Sequence, residues 1–391
     1  MPPNEDNPHT SPTETLPPAH VSTFARVGLL MYTFLIVYAS LYPFANWHSM
    51  GLPFWGFLFA PMPHYWTGFD VITNVIGYLP LGTLIVFALY PNVRGVSAAV
   101  LAVFGGMLLS GSMEAVQTYL PSRVSSNLDF LTNIAGTCIG AVVGVLLSPT
   151  FLTQSRLLQL RREWFLPEAG RGLIIAGLWP LAQIYPQGYL FGHGQIVPIL
   201  SEWLSDWMET PIDLLGLLMR DVELNVQEYW LAETLITACG FTGALLTLSC
   251  VLRKHAPKAP LLLALAVASL ATKSMANALL FAPANVLAWL TPGARGGLLV
   301  GAMMVTGLAY APPPVQRRLA VTSLAFSFIV INLVPANPYF VATLQTWTQG
   351  KFLNFNGAAH FLSVFWPFLA LWFLLHPAHR AKKAEAPSAP Q

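Results

Sequence analysis

Charge is what this chain has least of. Of its 391 residues, 9% are Asp, Glu, Lys or Arg and 55% are hydrophobic. Soluble domains carry about a quarter charged residues. A soluble globular protein is therefore excluded, and a multi-pass membrane protein is expected. The formal net charge is only +2, and no basic stretch is interleaved with aromatics, so nothing points to nucleic acid as a partner. Cysteine is scarce too. Cys138, Cys239 and Cys250 lie in apolar runs without CxxC spacing. They read as packing residues, neither disulfides nor metal ligands, and no metal or cofactor is expected. A cleavable signal is also missing. Residues 1–22 are Pro-rich and partly acidic, with no apolar core behind a basic start. They are expected to form a disordered cytoplasmic tail, and the first helix serves as the uncleaved signal.

Long apolar runs are abundant. Runs near the ~20 residues that cross a bilayer fall at 24–42, 70–90, 96–118, 128–148, 171–188, 229–252, 260–281, 293–311, 315–334 and 357–376. The expected fold is all-α, a polytopic transmembrane bundle of about ten spans. Fourteen of the 19 Lys and Arg fall on one side of this scheme, and 11 of the 17 Asp and Glu on the other. The positive-inside rule then places both termini in the cytoplasm. A four-helix membrane unit is expected over 23–150 and a cytoplasmic linker over 151–170. A second membrane unit of about six helices follows over 171–376, with an acidic, amphipathic outer loop at 189–228. A basic, disordered cytoplasmic tail ends the chain at 377–391.

The outer loops carry their own pattern. Residues 43–69 hold Phe44, Trp47, Phe54, Trp55, Phe57, Phe59, Tyr65 and Trp66, the aromatic content of a segment lying in the interface. Residues 195–209 set Ile196, Ile199, Leu200, Trp203 and Trp207 opposite Glu202, Asp206 and Glu209. This spacing fits a helix lying flat on lipid or on protein. Thr210 is expected to cap a second such helix, with Pro211 at its first position.

One octet occurs twice: DVITNVIG at 70–77 and DFLTNIAG at 129–136. Each Asp shares a helix face with the Asn four residues on: Asp70 with Asn74, Asp129 with Asn133. Both copies open spans that run inward from the outer surface. The span between them carries Ser110, Glu114 and Gln117 near its outer end, and a short hairpin supplies Arg123. Asp70, Asn74, Glu114, Gln117, Arg123, Asp129 and Asn133 are thus expected to converge at one depth. Ionisable groups inside a membrane are rare and mark sites or pathways. Gly136, Gly140 and Gly144 repeat every fourth residue, as in close helix–helix packing in lipid; Gly77 and Gly82 are expected to do similar work on the partner span. In the second half, Glu233, Lys273, Asn277, Arg295, Asn356 and His360 also lie near outer span ends. Lys273 and His360 join the candidate binding set, in one polar cavity open to the outside.

The order D70-x3-N74, Pro80-Leu81-Gly82, S110-x3-E114-x2-Q117, R123, D129-x3-N133 and then spaced glycines resembles the VanZ-like family of bacterial membrane proteins. The resemblance covers roughly residues 24–150, and the longer chain is similar to family members with extra helices. It implies a multi-pass protein of the bacterial inner membrane. The family is named for a protein associated with low-level teicoplanin resistance, so the resemblance implies a role in the cell envelope rather than a defined reaction.

Three classes of function fit. In the first, the cavity binds a charged envelope component: a lipid headgroup, a lipid-linked glycan or a peptidoglycan precursor. Arg123 and Lys273 would take its acid, Asp and Glu its amine, and Asn74, Gln117 and Asn133 its hydroxyls or amides. In the second, the chain transports or flips such a ligand. In the third, it is an outer-leaflet transferase or hydrolase with Glu114 as general base, though no nucleophile signature is present. A divalent cation on Asp70, Glu114 and Asp129 is the weakest variant. Against all of these stands a structural reading, in which Arg123 pairs with the carboxylates and Glu233 with Lys273 to pin helices together.

Overall fold

A computed structural model of the protein describes residues 22–42, 44, 46–152, 156–219, 224–281, 283–335 and 353–376. Both tails, with Arg220 and Lys351 of the charge count, lie outside the described residues. The described residues form helices: α1 Thr23–Leu41, α2 Gly68–Leu89, α3 Gly95–Gln117, α4 Asn127–Leu152, α5 Arg156–Trp164, α6 Gly170–Ala182, α7 Val197–Met208, α8 Leu214–Met219, α9 Val226–Ser249, α10 Lys258–Leu280, α11 Pro292–Leu308, α12 Pro313–Leu333 and α13 Leu353–Leu375. Among these residues there is no β-strand, only one isolated antiparallel bridge between Phe165 and Leu252.

Among the described residues, seven helices are long and apolar enough to cross a membrane, those beginning at Asp70, Gly95, Asn127, Val226, Lys258, Pro313 and Gly357 by that criterion. The expected spans at 171–188 and 293–311 come out shorter, whereas α1 has 19 residues, the length expected for 24–42. The fifth departs most. Its helix α6 has 13 residues, rising about 20 Å against a hydrocarbon core of roughly 30 Å, and the chain then continues without helix through residue 196.

The chain divides into two compact units, Met1–Phe34 with His48–Leu158 and Leu35–Trp47 with Gln159–Gln391. The first is organised by α2 against α4. Gly136 faces Val75, Gly140 faces Leu79, and Gly144 faces Thr83 and Val86, while Gly82 abuts Thr137 and Ala141. Residue numbers rise together across the contact, so the two helices are parallel, as the doubled octet requires. A Cβ on Gly82, Gly136 or Gly140 would strike the backbone of the other helix. With the backbones this close, the Thr83 hydroxyl donates to the Gly140 carbonyl at 2.9 Å. Gly77 plays no such part, because a Cβ there would meet open space; its carbonyl instead accepts from the Tyr32 hydroxyl at 2.7 Å. Helix α3 packs on both α2 and α4, with Gly106 against Thr137.

The second unit uses the same device. Gly293, Gly297 and Gly301 of α11 face Glu233, Thr237 and Phe241 of α9 in rising order, giving another parallel pair seamed by glycine. Helix α9 is buried along most of its length, between α11 and α12. Trp179 and Trp366 fill the core beside it, and Trp366 Nε1 donates to the Ile175 carbonyl at 2.8 Å. Helix α7 buries none of its residues and exposes Leu200, Trp203, Trp207 and Met208, as its amphipathic pattern requires. The expected cap is displaced, however. Helix α8 begins at Leu214, and Asp213, not Thr210, accepts the Leu215 N–H at 3.1 Å.

Replacing Gly140 by leucine forces α2 and α4 apart. It is expected to cost about 1–3 kcal/mol of stability, read as a lower thermal midpoint of the purified chain. Gly77→Ala, made in open space, should leave the midpoint unchanged or slightly raised, since alanine favours helix over glycine.

Candidate functional site

The doubled octet begins three residues earlier than its aspartates. Thr67-x-x-Asp70 and Ser126-x-x-Asp129 are both capping-box sequences, in which a hydroxyl takes the third residue's amide and that residue's carboxylate takes the cap's own amide. Helix α2 completes its box. The Thr67 N–H and hydroxyl donate to Asp70 Oδ2 at 3.2 and 2.7 Å, and the Asp70 N–H donates back to Thr67 Oγ1 at 3.2 Å. Asp70 is therefore an exposed residue whose carboxylate caps its own helix.

Helix α4 leaves its box half made. Ser126 Oγ accepts the Leu128 and Asp129 amides at 3.1 and 3.4 Å. The return bond goes elsewhere: the Ser126 N–H donates to Glu114 Oε2 of α3 at 2.8 Å. Glu114 is 3% exposed, and the Ser125 hydroxyl donates to its carbonyl at 2.9 Å. A carboxylate from α3 thus does at α4 what Asp70 does for its own helix. Relieved of that task, the Asp129 carboxylate turns to α2, where Asn74 Nδ2 donates to it at 2.9 Å. Among the described residues this is its one side-chain hydrogen bond.

The remaining partners complete a polar layer. Asn133 Nδ2 donates to Ser110 Oγ at 3.0 Å, while its Oδ1 has no hydrogen-bond partner among the described residues, and the buried Tyr78 hydroxyl lies beside Ser110. Arg123 is half-buried in the hairpin between α3 and α4. Burial lowers its pKa, and the charges of Asp129 and Glu114 oppose that. The like charge of Asp70 acts on Asp129, and that of Asp129 acts on Glu114. Gln117, half-buried at the end of α3, makes interactions of its own. Above the layer, Phe57 of the aromatic segment is buried and meets Phe130 edge-on at 5.6 Å, and Asn127 Nδ2 donates to the Ala60 carbonyl at 2.7 Å. The neighbouring Phe54, Trp55, Phe59, Tyr65 and Trp66 are exposed.

Seven of the nine expected binding residues therefore belong to the first unit, with Glu114, Asp129, Asn74 and Arg123 at the centre. Lys273 and His360 belong to the second. Glu233 does not pair with Lys273: it lies at the start of α11, beside Thr291 and Ala294. Among the described residues, no three His, Cys, Asp or Glu are placed to hold a metal ion, so Asp70, Glu114 and Asp129 do not form a ligand set. Sequence reasoning overlooked Tyr78 and Ser126. The capping-box spacing would have found the second.

Apolar helices of this length, with an ionisable cluster at their ends, define a multi-pass membrane protein. Residues 20–148 match the VanZ/LLP1 family model, and this part of the chain is a VanZ-like domain. No curated protein and no solved structure matches the chain.

Glu114→Ala strands the Ser126 N–H and should lower stability by about 1–3 kcal/mol. Glu114→Gln, whose amide oxygen still accepts, should recover most of that loss. Asp70→Ala removes only an exposed cap and should cost less, under about 1 kcal/mol. Thermal midpoints of the three variants check this order.

Proposed function

We propose that the VanZ-like domain binds an aminated, zwitterionic component of the bacterial cell envelope. The observation that carries this reading is the freed carboxylate: Asp129 is released from capping by Glu114 and, among the described residues, keeps a single neutral side-chain donor, Asn74. An ionised carboxylate has about four acceptor positions, so Asp129 can take a primary ammonium. Arg123 lies near enough for its charge to act on Asp129, and it would receive the acid of the same headgroup. Asn133, whose Oδ1 has no partner among the described residues, would order the hydroxyls behind it.

The charge bias of the loops supports an arrangement with both termini cytoplasmic and this site opening at the outer leaflet of the inner membrane. A phospholipid with a primary amine is the simplest ligand. Lipid-linked glycan or peptidoglycan precursors with free amines share its chemistry, and the likeness to VanZ supports teicoplanin sensitivity as the cellular readout.

The test compares phosphatidylethanolamine with phosphatidylcholine, whose quaternary amine cannot donate a hydrogen bond. The purified full chain should be stabilised by the first lipid, by about 1.4 kcal/mol at ten times Kd, and much less by the second. Asp129→Asn should abolish the difference. Equal stabilisation by both lipids, or an Asp129→Asn chain that still discriminates, would overturn the reading.

A further inference from the structure

The second unit contains a buried cation that its own side chains do not neutralise. Lys273 is 3% exposed. Among the described residues its ammonium makes one hydrogen bond, a long one of 3.5 Å to the Tyr185 carbonyl, and no ion pair. An ammonium has three donors, and a buried charge without a partner is strongly disfavoured. One turn further along the same face of α10, Asn277 is also buried, and its amide has no hydrogen-bond partner among the described residues.

What Lys273 faces is the place where α6 stops. The chain there continues without helix, with Gln183, Gln187 and His193 all buried. Left-handed backbone at Phe191 and Gly194, φ 59° and 84°, shapes the turn. Irregular backbone at membrane depth is tolerated only where protein or a water-filled cavity receives it, and helices broken in this way recur at ligand sites. The Gln183 and Gln187 amide nitrogens lie 2.6 and 2.7 Å from the two ring nitrogens of His193. The same amide nitrogens also donate to the Trp179 and Ala182 carbonyls, each at 3.1 Å, and to Ser363 Oγ at 2.6 Å. They are committed within the fold, which leaves Lys273 and Asn277 as the donors that a ligand could meet.

We propose that the second unit holds a site for a singly charged oxyanion, a carboxylate or a phosphodiester, between the end of α6 and Lys273 and Asn277 of α10. Lys273 supplies the counter-charge. The Asn277 amide supplies directional hydrogen bonds.

Three probes separate the sources of such an anion: acetate and dimethyl phosphate in solution, and phosphatidylglycerol in mixed micelles. At least one should raise the thermal midpoint of the full chain. A response to a soluble probe identifies a free anion, and a response to the lipid alone identifies a headgroup. Lys273→Met should abolish the response and, by removing a buried charge at similar volume, raise the midpoint measured without anion. Asp129→Asn should respond as wild type does, which separates this site from the one in the first unit. The proposal is overturned if no probe shifts the midpoint. It is equally overturned if Lys273→Met responds like wild type, or if that variant is less stable without anion, since the lysine would then be a structural strut.

Discussion

The VanZ-like domain depends on one hydrogen bond, from the Ser126 amide to the Glu114 carboxylate. It joins the outer end of α3 to the first turn of α4, and it decides what Asp129 is free to do. A helix start leaves amides without intrahelical partners, and a buried start must satisfy them. Taking that acceptor from another helix pins the hairpin and exempts the local aspartate. The same bond places a carboxylate at the positive end of the α4 dipole, where anions are favoured.

Glycine makes this geometry possible. Lipid offers no hydrophobic drive for helices to associate, so contact must come from close packing. In both units a parallel pair is drawn together by glycines four residues apart. In the first unit this brings Asn74 within hydrogen-bond reach of Asp129. In the second the middle helix behaves differently. Helix α3 packs on both members of its pair, whereas α10 packs against α6 and α9, which turns Lys273 towards the broken end of α6.

Much of this was legible in the residues. Apolar run lengths located the helices, and the spacing of Gly136, Gly140 and Gly144 identified the closest contact. The identical register of the two octets indicated parallel helices. Depth did not reveal that Asp70 caps its own helix. Lys273 and His360 belong to the second unit, and distance from a span end does not encode which bundle a helix joins. The break after α6 was masked by the apolar run continuing past it, although Pro186-Gln187-Gly188 is turn chemistry. Which amide answers which carboxylate is a matter of tertiary contact, and no periodicity encodes it.

The unfinished box at α4 has a mechanical corollary. Two acceptors stand ready for one N–H: Glu114 holds it, and Asp129 occupies the position from which Asp70 holds the equivalent group of Thr67. Glycines hold α2 and α4 backbone to backbone, whereas residues 118–126 are the short connection from α3 to α4. Lifting that hairpin would detach Glu114 and let Asp129 swing home to its own helix. Such an exchange would work as a latch with two seats, coupling the posture of a short surface turn to whether a negative charge is on offer to a guest.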